Sequence, residues 1–193
     1  MTIQKSGELL RTDKAAEVMK RLYQGEAEEN VARYEAVLKG YKEAFGDEEV
    51  LLFTSAGRTE ICGNHTDHNH GKVLAASINL DCVAAAGLNS SSRVRIISET
   101  FDQDFEIDLN RLEPSSRHAG TVDLNKGIIK AFIDAGYEVG GFNAYVTSNV
   151  IASAGVSSSA SYEMLICSML NELFNDGRID VVAFAHMGKY SEN

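Results

Sequence analysis

The residues best suited to chemistry lie in two short segments of this 193-residue chain. The first, the polar segment, is GNHTDHNHG from Gly63 to Gly71, with three histidines, one aspartate and two asparagines. Histidine and aspartate are competent metal ligands, but the spacing H-x-D-H-x-H matches none of the usual zinc spacings. Carboxylate, imidazole and amide groups this close together also suit the hydroxyl groups of a sugar. Taken alone, the polar segment leaves a sugar site and a solvated turn equally open.

The second, the serine-rich segment, is SNVIASAGVSSSAS from Ser148 to Ser161. Small side chains let a ligand approach the backbone, and the free amides of a helix N-terminus bind anionic oxygens. A serine hydroxyl can also contact magnesium, which takes oxygen ligands. The segment has neither the GxxxxGK[ST] pattern of a Walker A loop nor the GxGxxG pattern of a Rossmann loop. It therefore indicates either another kind of phosphate site or a serine-rich helix cap without a ligand.

Helical and strand patterns alternate around the two segments. A helix is predicted from Lys14 to Tyr23 with Thr12 as its N-cap, and another from about Glu26 to Phe45, ended by Gly46. Strands are predicted at EVLLFTSAG, RTEIC, KVLAAS, LDCVAAAG, RVRIIS, FEIDL and FNAYVTSNV. Further helices are predicted over 121–136, over SSSASYEMLICSMLNELFN, and after Asp180. This order predicts an α+β domain or an α/β domain with a mixed sheet, preceded by a helical arm.

The composition excludes several classes of function. Hydrophobic residues make up 44% of the chain, enough for a core, and the formal net charge is −10. That charge disfavours binding to nucleic acid or to an anionic membrane surface, and no apolar run reaches the length of a membrane span. The three cysteines form no CxxC pair. We therefore expect a reduced, cytoplasmic protein without nucleic-acid or membrane partners.

Both segments resemble motifs of one family. GRTEICGNHTDHNHGKVL resembles the N-terminal signature of galactokinases, approximately GRVNLIGEHTDYNxGxVL. SNVIASAGVSSSAS resembles the nucleotide-binding motif of the GHMP kinases (galactokinase, homoserine kinase, mevalonate kinase, phosphomevalonate kinase), approximately PxGxGLSSSAS. The motifs occur in the galactokinase order and at a similar separation, and the resemblance covers the chain from about Glu49 onward.

The resemblance implies a fold and a domain division. Residues 49–193 are expected to form an incomplete GHMP-kinase N-terminal domain, similar to domain 2 of ribosomal protein S5, and residues 1–48 the helical arm. KYSEN resembles a family stretch that ends in Glu-His or Glu-Asn, and the family's C-terminal domain follows that stretch. The chain is therefore expected to be truncated before the C-terminal domain and to self-associate through the apolar surface which that domain would cover.

The implied activity is a sugar 1-kinase, which phosphorylates galactose with ATP and Mg²⁺. Arg58 corresponds to the arginine beside the attacking C1 hydroxyl, where it acts in catalysis and in substrate binding. The remaining implied site residues are sugar ligands at Asn64, His65 and Asp67, a phosphate cradle at Ala154, Gly155, Ser157, Ser158 and Ser159, and magnesium ligands at Ser159 and Glu192.

Two departures from the family pattern affect the functional prediction. Asn64 replaces the usual glutamate, so a GHMP kinase for another sugar stays an alternative. The catalytic aspartate of the family lies in an MDQ-like stretch that this sequence does not contain, so we expect the 193-residue chain alone to be inactive. A non-catalytic sensor of galactose and ATP is the other alternative.

Overall fold

The computed structural model describes residues 1–63, 71–114, 120–151 and 158–191. Its helices are α1 (Ile3–Leu10), α2 (Asp13–Tyr23), α3 (Ala27–Phe45), α4 (Thr121–Asp134), α5 (Ser158–Phe174) and α6 (Val181–Ser191). Its strands are β1 (Leu51–Cys62), β2 (Leu74–Leu88), β3 (Arg93–Ser98), β4 (Gln103–Asp108) and β5 (Phe142–Ser148).

The strands form one mixed sheet in the order β1-β2-β5-β3-β4. Strand β5 enters between β2 and β3, parallel to β3 and antiparallel to β2. The other neighbouring pairs, β1 with β2 and β3 with β4, are antiparallel. The α+β prediction with a mixed sheet is therefore confirmed, and β5 delivers the serine-rich segment from the middle of the sheet.

Helices cover both faces of the sheet. Because side chains alternate along a strand, Ala84 and Ala86 of β2 face the core formed with α4, α5 and α6. Val83 and Ala85 face a second core formed with α1, α2 and α3. The small side chains of β2 let both helical layers pack closely. None of the described helices is long and apolar enough to cross a bilayer.

Helices α2 and α3 begin within one residue of the predicted positions and end at the predicted ones. The Thr12 hydroxyl accepts a hydrogen bond from the Ala15 amide at the start of α2, as expected of an N-cap. Gly46 has φ +96° and donates its amide to Lys42 O, which ends α3. Helix α1 was not predicted as a separate element. The proposed domain boundary after residue 48 lies between α3 and β1, and it stays a prediction.

Two predicted strand breaks are wrong. EVLLFTSAG and RTEIC lie on one strand, β1, and KVLAAS and LDCVAAAG lie on one strand, β2. The pairing of β1 with β2 shifts register between Ala56 and Arg58 and again between Glu60 and Cys62. Such irregularities bend a strand and change its pairing without ending it, and the sequence pattern does not distinguish the two cases.

Candidate active site

Arg58 lies on β1 just beyond the first register shift. Ala56 is paired with Asp81 of β2, and the next pair is Arg58 with Ser77. Local irregularities of this kind reorient side chains and are common beside active sites. Arg58 is exposed, so its cation is available to a ligand at this end of the β1–β2 hairpin.

The polar segment leaves the sheet at Gly63. Gly63 has φ +98°, and a Cβ placed there would lie 2.3 Å from the backbone oxygen of Lys72. Cys62 is paired with Leu74, so both ends of the polar segment start from adjacent strands. Only glycine combines this backbone conformation with so close an approach. The predicted sugar ligands Asn64, His65 and Asp67 lie outside the described residues.

The serine-rich segment leads from β5 to the N-terminus of α5. Ser158 is half-buried and Ser159 is exposed in the first turn of α5, and that described turn contains no acidic side chain. The first amides of an α-helix have no acceptor within the helix, so these amides and the helix dipole favour an anion there, and two hydroxyls add further donors. These residues fit a phosphate group. Ala154, Gly155 and Ser157 lie outside the described residues.

Side-chain hydrogen bonds fix the exit from β5. The Thr100 hydroxyl accepts from the Ser148 amide at 2.8 Å and donates to Ser148 O at 3.1 Å. Ser148 Oγ accepts from the Val150 amide at 3.1 Å and from Cys82 Sγ at 3.1 Å. The chain therefore enters the serine-rich segment from a position held by β2 and by the β3–β4 turn.

One hydrogen bond connects the two halves of the candidate site. Ser161, one turn into α5, donates its hydroxyl to the backbone oxygen of Ser55 on β1 at 2.7 Å, across 106 positions of sequence. Ser161 is buried at 3% exposure. Ser55 precedes Arg58 by three residues, and Ser161 follows Ser158 by three. The fold therefore places the strand of Arg58 beside the helix N-terminus of Ser158 and Ser159.

The last described turn of α6 also reaches the start of α5. A Cβ at Gly188 would lie 2.7 Å from Glu163 Oε2, and Glu163 is buried on α5 two residues after Ser161. The chain preceding Glu192 therefore runs close to the first turns of α5. Glu192 itself lies outside the described residues.

Sequence reasoning missed Asp81 and Asn149, although both are part of the framework behind the site. Asp81 is buried at 3% exposure on β2, and its backbone oxygen accepts from the Asn149 amide at 3.1 Å. A signal was present, because LDCVAAAG places one carboxylate at the start of an otherwise apolar run. Buried carboxylates are uncommon unless they are paired.

Comparison with protein families gives two separate matches. Residues 39–88 match the galactokinase galactose-binding signature. Residues 123–193 match the N-terminal domain of GHMP kinases. The first match contains Arg58 and the polar segment, and the second contains most of α4, the serine-rich segment and α6.

Curated relatives and solved structures agree with these matches. The chain is 32% identical to a galactokinase of Clostridium tetani over 80% of this chain and 39% of the relative. It is 34% identical to a galactokinase of Lactococcus lactis over 86% of this chain and 42% of the relative. The Lactococcus lactis galactokinase structure in complex with galactose matches with TM-score 0.76 and 33% identity, over 82% of this chain and 41% of that one. Mevalonate kinase of Methanococcus jannaschii shares the fold, with TM-score 0.64 and 16% identity over 75% of this chain and 46% of that one. The chain thus spans about two fifths of the length of these curated relatives.

Proposed function

We propose that this chain is the N-terminal part of a GHMP kinase similar to galactokinases and that it carries the sugar-binding and nucleotide-binding half of a sugar 1-kinase. The family matches over residues 39–88 and 123–193 and the similarity to curated galactokinases support this proposal. The reaction of the native protein would be the ATP-dependent phosphorylation of galactose to galactose 1-phosphate. The hydrogen bond between Ser161 and Ser55 O supports this proposal most directly, because it joins β1 to the first turns of α5.

Arg58 has the catalytic role among the described residues. In the proposed transfer, the C1 oxygen of the sugar forms a bond to the γ-phosphorus, and the bond from that phosphorus to the bridging oxygen of ADP breaks. The hydroxyl proton passes to a carboxylate base, which the family resemblance assigns to an MDQ-like stretch not found in these 193 residues. A fixed guanidinium beside the C1 oxygen stabilises negative charge as it develops and keeps such a base ionised. Asn64, His65 and Asp67 would orient the sugar through its other hydroxyls.

The N-terminus of α5 has the nucleotide-binding role. Ser158 and Ser159 offer amides and hydroxyls to phosphate oxygens, together with Ala154, Gly155 and Ser157 of the same segment. Ser159 and Glu192 would hold Mg²⁺, which neutralises phosphate charge when bound. The proximity of α6 to the start of α5 supports the assignment of Glu192.

The binding part of the proposal is testable on the 193-residue chain. We expect calorimetry to detect binding of galactose and, separately, binding of a non-hydrolysable ATP analogue with Mg²⁺. Tryptophan fluorescence cannot report binding, because the chain has no tryptophan. Arg58→Ala should weaken sugar binding and leave nucleotide binding unchanged. Arg111→Ala, which removes an exposed cation after β4, is the matched control. A chain that binds neither ligand would count against the proposal.

The catalytic part requires the native gene product that contains this sequence. We expect sugar-dependent ADP release from that protein and none from the 193-residue chain alone, because the expected base belongs to an MDQ-like stretch that these 193 residues do not contain. Failure of the native protein to release ADP with any hexose would refute the kinase assignment. Binding of both ligands without turnover would instead favour a sensor.

The identity of the sugar is the part of the proposal that the sequence leaves most open. An amide oxygen at Asn64 accepts a hydrogen bond more weakly than a carboxylate, so the contact differs from that of the family. A panel of galactose, glucose, N-acetylhexosamines and uronic acids separates the candidates. Asn64→Glu should increase the preference for galactose if galactose is the substrate.

Residence of the protein in the cytoplasm also stays a prediction.

A further inference from the structure

A buried carboxylate stands where the N-terminal helices meet the candidate site. The Asp81 side chain is 5% exposed and lies on the face of β2 that α2 and α3 cover. Its Oδ1 accepts from the guanidinium of Arg33 on α3. Its Oδ2 accepts from the hydroxyl of Tyr23 at the end of α2 and from the hydroxyl of Thr54 on β1. A carboxylate this deeply buried is stable only when such donors replace its water.

The partners of Asp81 are themselves held in place. Arg33 lies over the ring of Tyr23, with its Cζ 5.9 Å from the ring centroid. The Tyr23 hydroxyl is 2.9 Å from that of Tyr34. Burial, and then the hydrogen bond to Asp81, raise the pKa of Tyr23 well above its ordinary value, so that Tyr23 stays a donor. The helical layer thus contacts Asp81 through an ordered polar group.

The backbone of the same residue contacts the exit from β5. The Asp81 amide donates to the Asn149 side-chain oxygen at 2.7 Å, and the Asn149 amide donates to Asp81 O at 3.1 Å. Asn149 thereby extends the β2–β5 ladder by one residue just beyond the end of β5. Asp81 also pairs with Ala56 of β1, and this is the last pair along β1 before the register shift that precedes Arg58.

We infer that Asp81 is a positioning residue that joins the N-terminal helices, the strand of Arg58 and Asn149 at the exit from β5 into one unit. In this arrangement the helices α2 and α3 do more than cover the sheet. Their donors Tyr23 and Arg33 hold the carboxylate in place. Asp81 in turn contacts β1 through its carboxylate, at Thr54, and the exit from β5 through its backbone, at Asn149. The consequence for ligand binding rests on the proposed function, whereas the mechanical link does not.

Amide hydrogen exchange on the 193-residue chain tests the link. Tyr23→Phe removes one donor to Asp81, together with the contact to the Tyr34 hydroxyl, and keeps the shape of the ring. We expect exchange at the Asn149 amide and at residues 54–58 to accelerate about tenfold, with the amides of α4 unchanged, because loss of a bond to a buried charge loosens its neighbours locally. Tyr41→Phe is the matched control, since it removes an equally buried hydroxyl of the same helical layer that bonds Glu48 and not Asp81.

A second variant, at Asp81 itself, tests the same link. Asp81→Asn keeps the shape but removes the charge that pairs with Arg33, and it should produce the same exchange pattern more strongly. If Asp81→Asn does not fold, Tyr23→Phe alone decides. Unchanged exchange at Asn149 in Tyr23→Phe, or equal acceleration in Tyr41→Phe, would overturn the inference.

Ligand binding separates this inference from the proposed function. We expect Tyr23→Phe to weaken binding of the MgATP analogue about tenfold, while Tyr41→Phe binds like the wild type. A wild-type chain that binds no nucleotide would refute the proposed function but leave the exchange result to decide on Asp81. A Tyr23→Phe chain with accelerated exchange and unchanged binding would overturn the positioning role.

Discussion

Replacement of Gly63 by alanine tests whether the end of the β1–β2 hairpin determines the geometry of the polar segment. Gly63 and Gly46 have nearly the same φ, +98° and +96°. They differ in surroundings, because a Cβ at Gly63 would lie 2.3 Å from Lys72 O whereas a Cβ at Gly46 would meet nothing within 4 Å. Gly46→Ala therefore measures the cost of the conformation alone, and Gly63→Ala adds the collision.

The expected magnitudes follow from these two costs. A positive φ costs a residue with a Cβ about 1–2 kcal/mol, which both variants share. The atom that the added methyl group of Gly63→Ala would meet is backbone and cannot rotate away, so the hairpin end must open and lose about one hydrogen bond, or about 1 kcal/mol. We therefore expect the free energy of unfolding to fall by about 1–2 kcal/mol for Gly46→Ala and by about 2–3 kcal/mol for Gly63→Ala.

Urea denaturation followed by circular dichroism gives both free energies, and calorimetry with galactose gives the functional effect. Opening the hairpin end shifts the starting points of the segment that contains His65 and Asp67, so Gly63→Ala should weaken sugar binding at least about tenfold. Gly46→Ala should bind sugar normally. Equal losses of stability in the two variants would refute the reasoning about close approach. Normal sugar binding by Gly63→Ala would refute the claim that this contact orients the polar segment.

Three further predictions concern the described surface. Cys62 is exposed, whereas Cys82 and Cys167 are buried, and burial raises the pKa of the Cys167 thiol to about 12. A thiol reagent should therefore modify one cysteine of the folded chain and all three in denaturant. Galactose should slow the reaction at Cys62, and fast reaction of all three cysteines in the folded chain would contradict the burial. The hydrogen bond from Arg95 lowers the pKa of Asp104, so the stability that Asp104 contributes is present above the ordinary pKa of an aspartate, near 4, and is lost as the pH falls through the lowered value. The difference in unfolding free energy between wild type and Asp104→Asn should therefore shrink in acid. A difference that is constant with pH would refute this assignment of the bond. Ile61, Leu74 and Val181 are 60%, 56% and 73% exposed, so the 193-residue chain should self-associate as its concentration rises, which light scattering would detect. A chain that stays monomeric at every concentration would contradict this prediction.

The sequence alone determined most of the individual elements and the types of residue at the candidate site. Local signals were sufficient at Thr12, which caps α2, and at Gly46, which ends α3, because caps and stops depend on neighbouring residues only. Patterns of small, hydroxyl and amide side chains were compatible with phosphate and sugar chemistry, because a binding group needs particular atoms whatever the fold. They left a solvated turn and a helix cap without a ligand equally open. The assignment of single residues such as Arg58 and Glu192 depends on family resemblance and stays a prediction.

The tertiary structure alone decided which of these residues meet. The sequence pattern predicts the end of a strand before Arg58, whereas the structure has a register shift there within one strand. A bulge depends on pairing with a partner strand that the local sequence does not specify. The bond from Ser161 to Ser55 O joins residues 106 positions apart, and no periodicity contains that information. Asp81 was visible as a carboxylate in an apolar run, but its role requires Arg33, Tyr23 and Asn149 to converge on it. Burial of a charge is favourable only with such partners, so its surroundings are a property of the assembled fold.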